Sequence, residues 1–270
     1  MSRARLRNRF LSLLDHAGLS EPAFRVYEAA CSLARRPATG MHGGFAIPPP
    51  SLLMKVAGSG DPAVYLDGGQ AAAETVLSVL AAEGVRFTDL ESVLDFGCGC
   101  GRVLRHWAAH ASSTRISGTD YNRDLVAWCQ KNLPFARVSQ NEPEPPAPFE
   151  NGTFDFIYAF SVFTHLPEES GLRWMRELHR LLRPGALLLV STHGAHYLSQ
   201  MPEAEQEQFR AGGLVTRYAR AAGSNLCSVF HPESYVRRVL AEGFEVLHFL
   251  PEGARGNLHQ DAWLLRRQST

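Results

Sequence analysis

Apolar and polar positions alternate along most of this chain with two periods, and the switches between them mark its elements. Val93-Leu94-Asp95-Phe96 is a short apolar run of strand character. After Gly97-Cys98-Gly99-Cys100-Gly101-Arg102, Leu104, Trp107 and Ala108 repeat at helical spacing. Arg115 to Thr119 reads as a second strand ending at Asp120, with a helix starting near Arg123 and a third strand before Gln140. The turn signal Asn151-Gly152 precedes an apolar run from Phe154 to Phe160, the fourth strand. Pro167 to Leu182 places Leu172, Met175, Leu178 and Leu182 on one face, which predicts an amphipathic helix. Pro184-Gly185 ends it, and Ala186 to Thr192 is the kind of continuous apolar strand buried in parallel sheets. Pro232 to Leu240 predicts a helix, and Phe244 to Leu250 and Ala262 to Leu265 predict two last strands.

The alternation of strand and helix signals implies an α/β fold with a mostly parallel sheet and helices on both faces. Before it, residues 1–36 read as helical, and 39–69 are rich in glycine and proline. The expected organisation is an N-terminal helical cap over 1–69 and a catalytic domain over 70–270, opened by a helix from Gln70 to Glu83. The stretch 194–230, after the fifth strand, is an insertion placed to form a substrate lid.

The glycine-rich turn carries the chemistry. Glycines let the backbone turn sharply and approach a ligand that a Cβ would repel. Asp120 closes the second strand beside that turn, where a carboxylate can accept both hydroxyls of a ribose; the alternative is a helix N-cap. Dinucleotide sites want G-x-G-x-x-G/A, and Arg102 stands at the last of those places. Asp95, two residues before Gly97, suits a ligand with a cationic amino group and would repel a pyrophosphate.

Asp95-Phe96-Gly97-Cys98-Gly99-Cys100-Gly101 resembles motif I, D-x-G-x-G-x-G, of the class I S-adenosylmethionine-dependent methyltransferases. Leu182-Arg183-Pro184-Gly185-Ala186 is similar to that family's link into the fifth strand, and the likeness covers about residues 70 to 266. It implies a Rossmann-like seven-stranded sheet with a reversed last strand, and S-adenosyl-L-methionine as cofactor. By the same resemblance, Asp95 and the Gly97, Cys98, Gly99, Gly101 and Arg102 loop hold the methionine part and the nearby ribose. Asp120 takes the ribose hydroxyls, Tyr121 lies against the adenine, and Phe160 and Ser161 line the transfer site. The turn at Gln140 and Asn141 either meets the adenine edge or is simply exposed. Tyr65 either approaches the cofactor or packs half-buried.

Deprotonating an alcohol or phenol acceptor calls for a base, and histidine is the natural candidate. His165, His193, His231 and His259 fall near strand ends or in the insertion. His193, directly after the fifth strand, is the first choice, with His165 beside it; a loop histidine bonded to backbone is the plain alternative. No histidine or cysteine pair has zinc-site spacing, so no metal is expected. Five cysteines, at irregular intervals, make no disulfide framework and suit a reduced, cytoplasmic protein.

Formal charge of zero and a pI near 7.2 disfavour a basic nucleic-acid groove. The fourth strand ends Ala159-Phe160-Ser161-Val162, without the proline pair of amino-methylating DNA enzymes or the cysteine of cytosine-C5 enzymes. Glu168 and Glu169 read as a helix start rather than the paired glutamates of arginine methyltransferases. The expected acceptor is a small molecule, a sugar or secondary metabolite methylated on oxygen. N-methylation of a small molecule or peptide, a non-catalytic cofactor-binding scaffold and a nicotinamide-dependent oxidoreductase are the alternatives. No apolar run reaches the roughly 18 to 20 residues that span a bilayer. Arg3, Arg5, Arg7 and Arg9 before Phe10 and Leu11 suggest a packed helix with solvated arginines over a membrane-surface helix or a transit peptide. Oligomeric state is left open.

Overall fold

A computed structural model of the chain describes residues 22–24, 26 and 40–268, so the arginine-rich start, most of the expected first helix and Cys31 lie outside the described residues. Seven strands form the main path of one sheet: β1 (Ser92–Phe96), β2 (Arg115–Asp120), β3 (Arg137–Gln140), β4 (Phe154–Ala159), β5 (Leu182–His193), β6 (Phe244–Leu250) and β7 (Gln260–Arg267). Their order is β6-β7-β5-β4-β1-β2-β3. The first five run parallel, and β7 is antiparallel to both neighbours, giving the reversed last strand. The chain leaves β1 toward β2 on one side and returns to β4 on the other. Ligands of open α/β sheets bind at such a reversal, outside the carboxyl ends of the strands.

Helices cover both faces because the central strands are apolar on both. All five residues of β1 are buried. On β4, Phe156 and Tyr158 face a core built with Val76, Leu80, Leu104 and Trp107, while Ile157 and Ala159 face one built with Trp174, Leu178, Val236 and Leu240. α1 (Pro50–Ala57), α2 (Pro62–Ala82) and α3 (Arg123–Asn132) precede the predicted amphipathic helix, α4 (Glu168–Leu181). α4 buries Trp174, Met175, Leu178 and Leu181, and carries Glu168 and Glu169 in its first turn and Arg180 in its last, each charge favourable to the helix dipole.

Several elements differ from expectation. β5 begins at Leu182 and runs through Pro184-Gly185, and the helix expected over Pro232 to Leu240 is a short α turn (Glu233–Tyr235) continued as a π segment (Val236–Leu240). Leu104–His110, after the glycine loop, is a 3-10 rather than an α-helix; Leu104 and Trp107 are three apart, a spacing that fits either period. α2 starts at Pro62, capped by the Asp61 side chain on the Ala63 N–H (3.0 Å), so it runs unbroken through residue 70. The 194–230 insertion has structure of its own: a 3-10 segment (Ala195–Gln200), α5 (Glu203–Arg210) and the antiparallel strands Val215–Arg217 and Ser228–Phe230. The second of these joins the main sheet through Phe230 opposite His193, extending it to nine strands. Strands of three residues are too short to leave a legible period.

Candidate active site at the switch point

The glycine loop leaves β1 in a tight turn. The Gly97 and Cys98 N–H groups both donate to the Thr119 carbonyl of β2 (2.8 and 3.0 Å), and Gly101 N–H donates to Cys98 (2.9 Å). Gly97, Gly99 and Gly101 have φ of 75°, 57° and 81°, where a side chain is strained. Space is closed as well: a Cβ at Gly97 would overlap Val162, one at Gly101 would overlap Leu133, and one at Gly99 would come 2.7 Å from Val56 of α1. The N-terminal segment therefore rests directly on the loop. Tyr65 of α2 is buried and donates its hydroxyl to the Cys100 carbonyl (2.9 Å), so it packs beneath the turn.

Two buried carboxylates flank this turn. Asp95 is 4% exposed, and burial pushes its pKa up to about 7, opposed by a hydrogen bond from the Tyr158 hydroxyl and by the Arg102 charge. Tyr158 in turn accepts the Trp107 indole N–H (2.8 Å), which orients it. Asp120 accepts the Gly99 N–H (2.9 Å) and the Asn122 N–H (2.8 Å). Burial raises it to about 6 against those two bonds. The cap of α3 is Asn122, whose side chain accepts from Asp124 and Leu125, so Asp120 is not needed for that task. A ligand bearing an ammonium group fits this pair, since a cation stabilises the ionised forms that burial disfavours.

Around the carboxylates the other candidate residues divide. The Arg102 guanidinium donates to Gly256 O (2.9 Å) and Asn257 Oδ1 (2.6 Å), tying the loop to the β6–β7 turn. Ser161 sits at φ 56° after β4; its N–H donates to Ser191 Oγ (2.8 Å), and its hydroxyl accepts from Gln260 Nε2 (2.7 Å). Ser191 donates to Gln260 Oε1 (2.7 Å). This polar chain across β4, β5 and β7 was not visible in the sequence, because its members lie far apart along it. Phe160 turns into the core beside Tyr158, ring centroids 5.9 Å apart. The buried Asn141 accepts from the Thr119 hydroxyl (2.8 Å) and donates to Glu142 O (2.7 Å), while Gln140 is exposed. The half-exposed Tyr121 donates to Gly223 O of the insertion (3.0 Å). Cys98, Cys100 and Cys129 are buried free thiols behind the loop, Cys129 donating to Gly99 O (3.3 Å).

The histidines gather beyond the ends of β4 and β5. His165 bonds through Nδ1 to Cys227 O of the insertion (2.6 Å), which assigns the proton to Nδ1. His193 lies 6.4 Å away, ring to ring and perpendicular, with Tyr197 and Phe230 against it at 4.9 and 5.3 Å. Its Nδ1 is buried without a partner, and its other nitrogen is left for the backbone bond to Val229. Burial, then the His165 charge, lowers its pKa to about 4. His231 is fully buried behind it and lowered by burial to about 3, and its backbone N–H donates to His193 O (2.8 Å). His259 stands apart on the surface, paired with Glu252 (2.7 Å).

A profile described as a methyltransferase domain matches residues 67–249, more than half of the chain. The chain belongs to the S-adenosylmethionine-dependent methyltransferase family. Among characterised relatives, a sterol 24-C-methyltransferase of Schizosaccharomyces pombe is 30% identical over 103 residues, 36% of this chain and 26% of that one. A tocopherol O-methyltransferase of Arabidopsis thaliana is 26% identical over 121 residues, 43% of this chain and 34% of that one. The chain thus spans well under half the length of these relatives. The fold is shared with a Burkholderia thailandensis 1,6-didemethyltoxoflavin-N1-methyltransferase solved with S-adenosylhomocysteine, at a TM-score of 0.51 and 16% identity over 76% of this chain and 80% of that one.

In this methyltransferase the insertion after β5 touches the segment that precedes the sheet. Asn225 of the insertion donates to the Met54 and Lys55 carbonyls at the end of α1 (3.1 and 3.0 Å). Gly69 lets α2 lie against the Arg102 backbone, where any Cβ would overlap it. A surface cleft of about 470 Å³ lined by Leu77, Val85, Phe87 and His110 sits at the opposite end of the sheet, remote from these groups. No helix of the described residues is long and apolar enough to cross a membrane.

Proposed function

We propose that this protein O-methylates a small hydroxyl-bearing acceptor, a sugar or secondary metabolite, from S-adenosylmethionine. The observation that carries the reading is the unpartnered, buried Nδ1 of His193 beside His165 at the switch-point end of the sheet. The matched relatives are named for C-, O- and N-methylation, so the choice of oxygen rests on the presence of a base.

In this reading Asp95 holds the amino group of the cofactor, and the Gly97–Gly101 backbone with Cys98 accommodates its methionine part. Asp120 accepts from the ribose hydroxyls through the lone pairs its two backbone bonds leave. Tyr121 and the Asn141 backbone border the adenine, Ser161 borders the methyl group, and Arg102 holds the loop's far side; Phe160, turned into the core, supports this wall from behind. The cofactor supplies an electrophilic methyl on a sulfonium. His193 would take the acceptor's hydroxyl proton on Nδ1, leaving the acceptor oxygen free to receive the methyl group. His165, with its proton fixed on Nδ1, offers Nε2 to orient the acceptor. Residues 1–69 act as the cap and 194–230 as the lid, both excluding water from the transfer.

The test is product formation by the purified full chain: S-adenosylhomocysteine released across a panel of hydroxylated acceptors, with cofactor affinity from calorimetry. Turnover on an alcohol or phenol that His193→Ala suppresses at unchanged cofactor affinity supports the reading. Cofactor binding without turnover on any acceptor, or turnover confined to amines, overturns it.

A further inference from the structure

Away from the histidines placed in the reaction, a second group lies at the rim of the same end of the sheet. We propose that His196, Glu252 and His259 form a binding site for a zinc-class divalent metal ion. Both imidazoles direct Nδ1 at one carboxylate oxygen, Glu252 Oε2, at 3.1 Å from His196 and 2.7 Å from His259. The two rings stack at 3.7 Å with planes 8° apart, so joint ligation requires one imidazole to turn about its Cβ–Cγ bond until the ion lies in its plane, a motion open to side chains at the surface. One ligand atom from each of the three residues lies within 4.8 Å of the other two. Zinc takes imidazole nitrogen and carboxylate oxygen at roughly 2.0 to 2.2 Å, so ligand atoms about 3 Å apart match the edge of its coordination shell. Two histidines and one carboxylate leave a position open to water or an anionic ligand.

The surroundings hold the three groups in place. His196 belongs to the Ala195–Gln200 segment, and the other two begin and end the turn between β6 and β7. Tyr197 bridges the two segments by donating its hydroxyl to Leu258 O (2.8 Å). Asp261 accepts the Glu252 N–H (2.8 Å) from behind, and adds a second carboxylate within reach of the ion's field. Gly194 is the residue that lets the chain pass Asp261 on its way to His196, since any Cβ there would overlap that carboxylate. Glu252 and His259 are both held at positive φ, 51° and 46°, an uncommon conformation for residues with side chains. An ion there replaces the protons that both Nδ1 atoms share with the carboxylate. It pins the insertion to the β6–β7 turn, one aromatic ring (Tyr197) away from His193.

The experiment uses the full chain, stripped with a chelator and titrated with Zn²⁺ against a chromophoric competitor. One equivalent bound with a Kd of about 1 µM or below is expected, weakened at least about tenfold by His259→Ala and by Glu252→Gln. Co²⁺ should give d–d bands without thiolate charge transfer, and Zn²⁺ should raise the Tm of the wild type and not of the two variants. Both substituted side chains are exposed, and far-UV circular dichroism verifies that each variant is folded. No saturable binding below about 100 µM, variants that bind as the wild type does, or thiolate bands with Co²⁺ would each overturn the proposal.

Discussion

The two halves of the candidate site are assembled in opposite ways. The cofactor half comes from contiguous stretches: Asp95 to Arg102 on one loop and Asp120 with Tyr121 on the next, joined by the Gly99 N–H to Asp120 bond. The half proposed to receive the acceptor draws His165, His193, Tyr197, Cys227 and Phe230 from separate elements, held by single contacts such as His165 to Cys227 O. Local construction tolerates little change, because each glycine is surrounded. Distributed construction lets one scaffold present different acceptor surfaces, which agrees with relatives named for unlike acceptors.

The sharpest break in that comparison is Gly101→Val. Its Cβ would enter the space of Leu133 at a φ of 81°, and overpacking with backbone strain should cost about 3 kcal/mol or more. Thermal unfolding would show a Tm lowered by several degrees, and a Tm within a degree of wild type would contradict the packing argument. His193→Gln tests the acceptor half: turnover should drop by about 10² to 10⁴ with cofactor affinity unchanged. With S-adenosylmethionine saturating, so that Asp95 and Asp120 are already ionised, the same base places the acid limb of kcat/KM for the acceptor near pH 4, where burial holds His193. A limb near 6.5 would point to an exposed histidine instead.

Asp95→Asn should separate function from stability. Asp95 and Asp120 are raised to about 7 and 6 when folded, above an unfolded value near 3.9. The folded protein therefore binds more protons between about pH 4 and 7, and these groups cost stability as pH rises through that window. Removing the Asp95 charge should raise the Tm at pH 8 and do little at pH 4, while weakening S-adenosylmethionine about tenfold or more. Wild-type affinity for the cofactor should fall from pH 8 to pH 5.5, with proton release on binding measured by calorimetry in buffers of different ionisation enthalpy. A Tm at pH 8 lowered by the substitution would reverse the assignment. The smallest effect belongs to Tyr121→Phe, which removes the exposed bond to Gly223. It should change acceptor KM by a few-fold at most and leave Tm nearly unchanged, since such a hydrogen bond contributes about 1 kcal/mol.

By itself the sequence was sufficient for the seven-stranded order of events along the chain, the buried central strands, the amphipathic α4 and the glycine turn with Asp95 and Asp120. Those features depend on period and on neighbours within a few residues, which a linear reading preserves. Only the tertiary structure showed that Phe160 turns into the core and that Asn141 ties its own turn. It also revealed the Ser161–Ser191–Gln260 chain and brought His196 together with Glu252 and His259. Each of those depends on strands far apart in sequence lying side by side: β7 returns antiparallel beside β5 and sets residue 260 opposite residue 193. The short insertion strands form because an open sheet end offers them partners, not because three residues prefer to be extended. Chemistry encoded within one turn was therefore legible before folding, whereas the acceptor side acquired its composition only when the sheet closed around it.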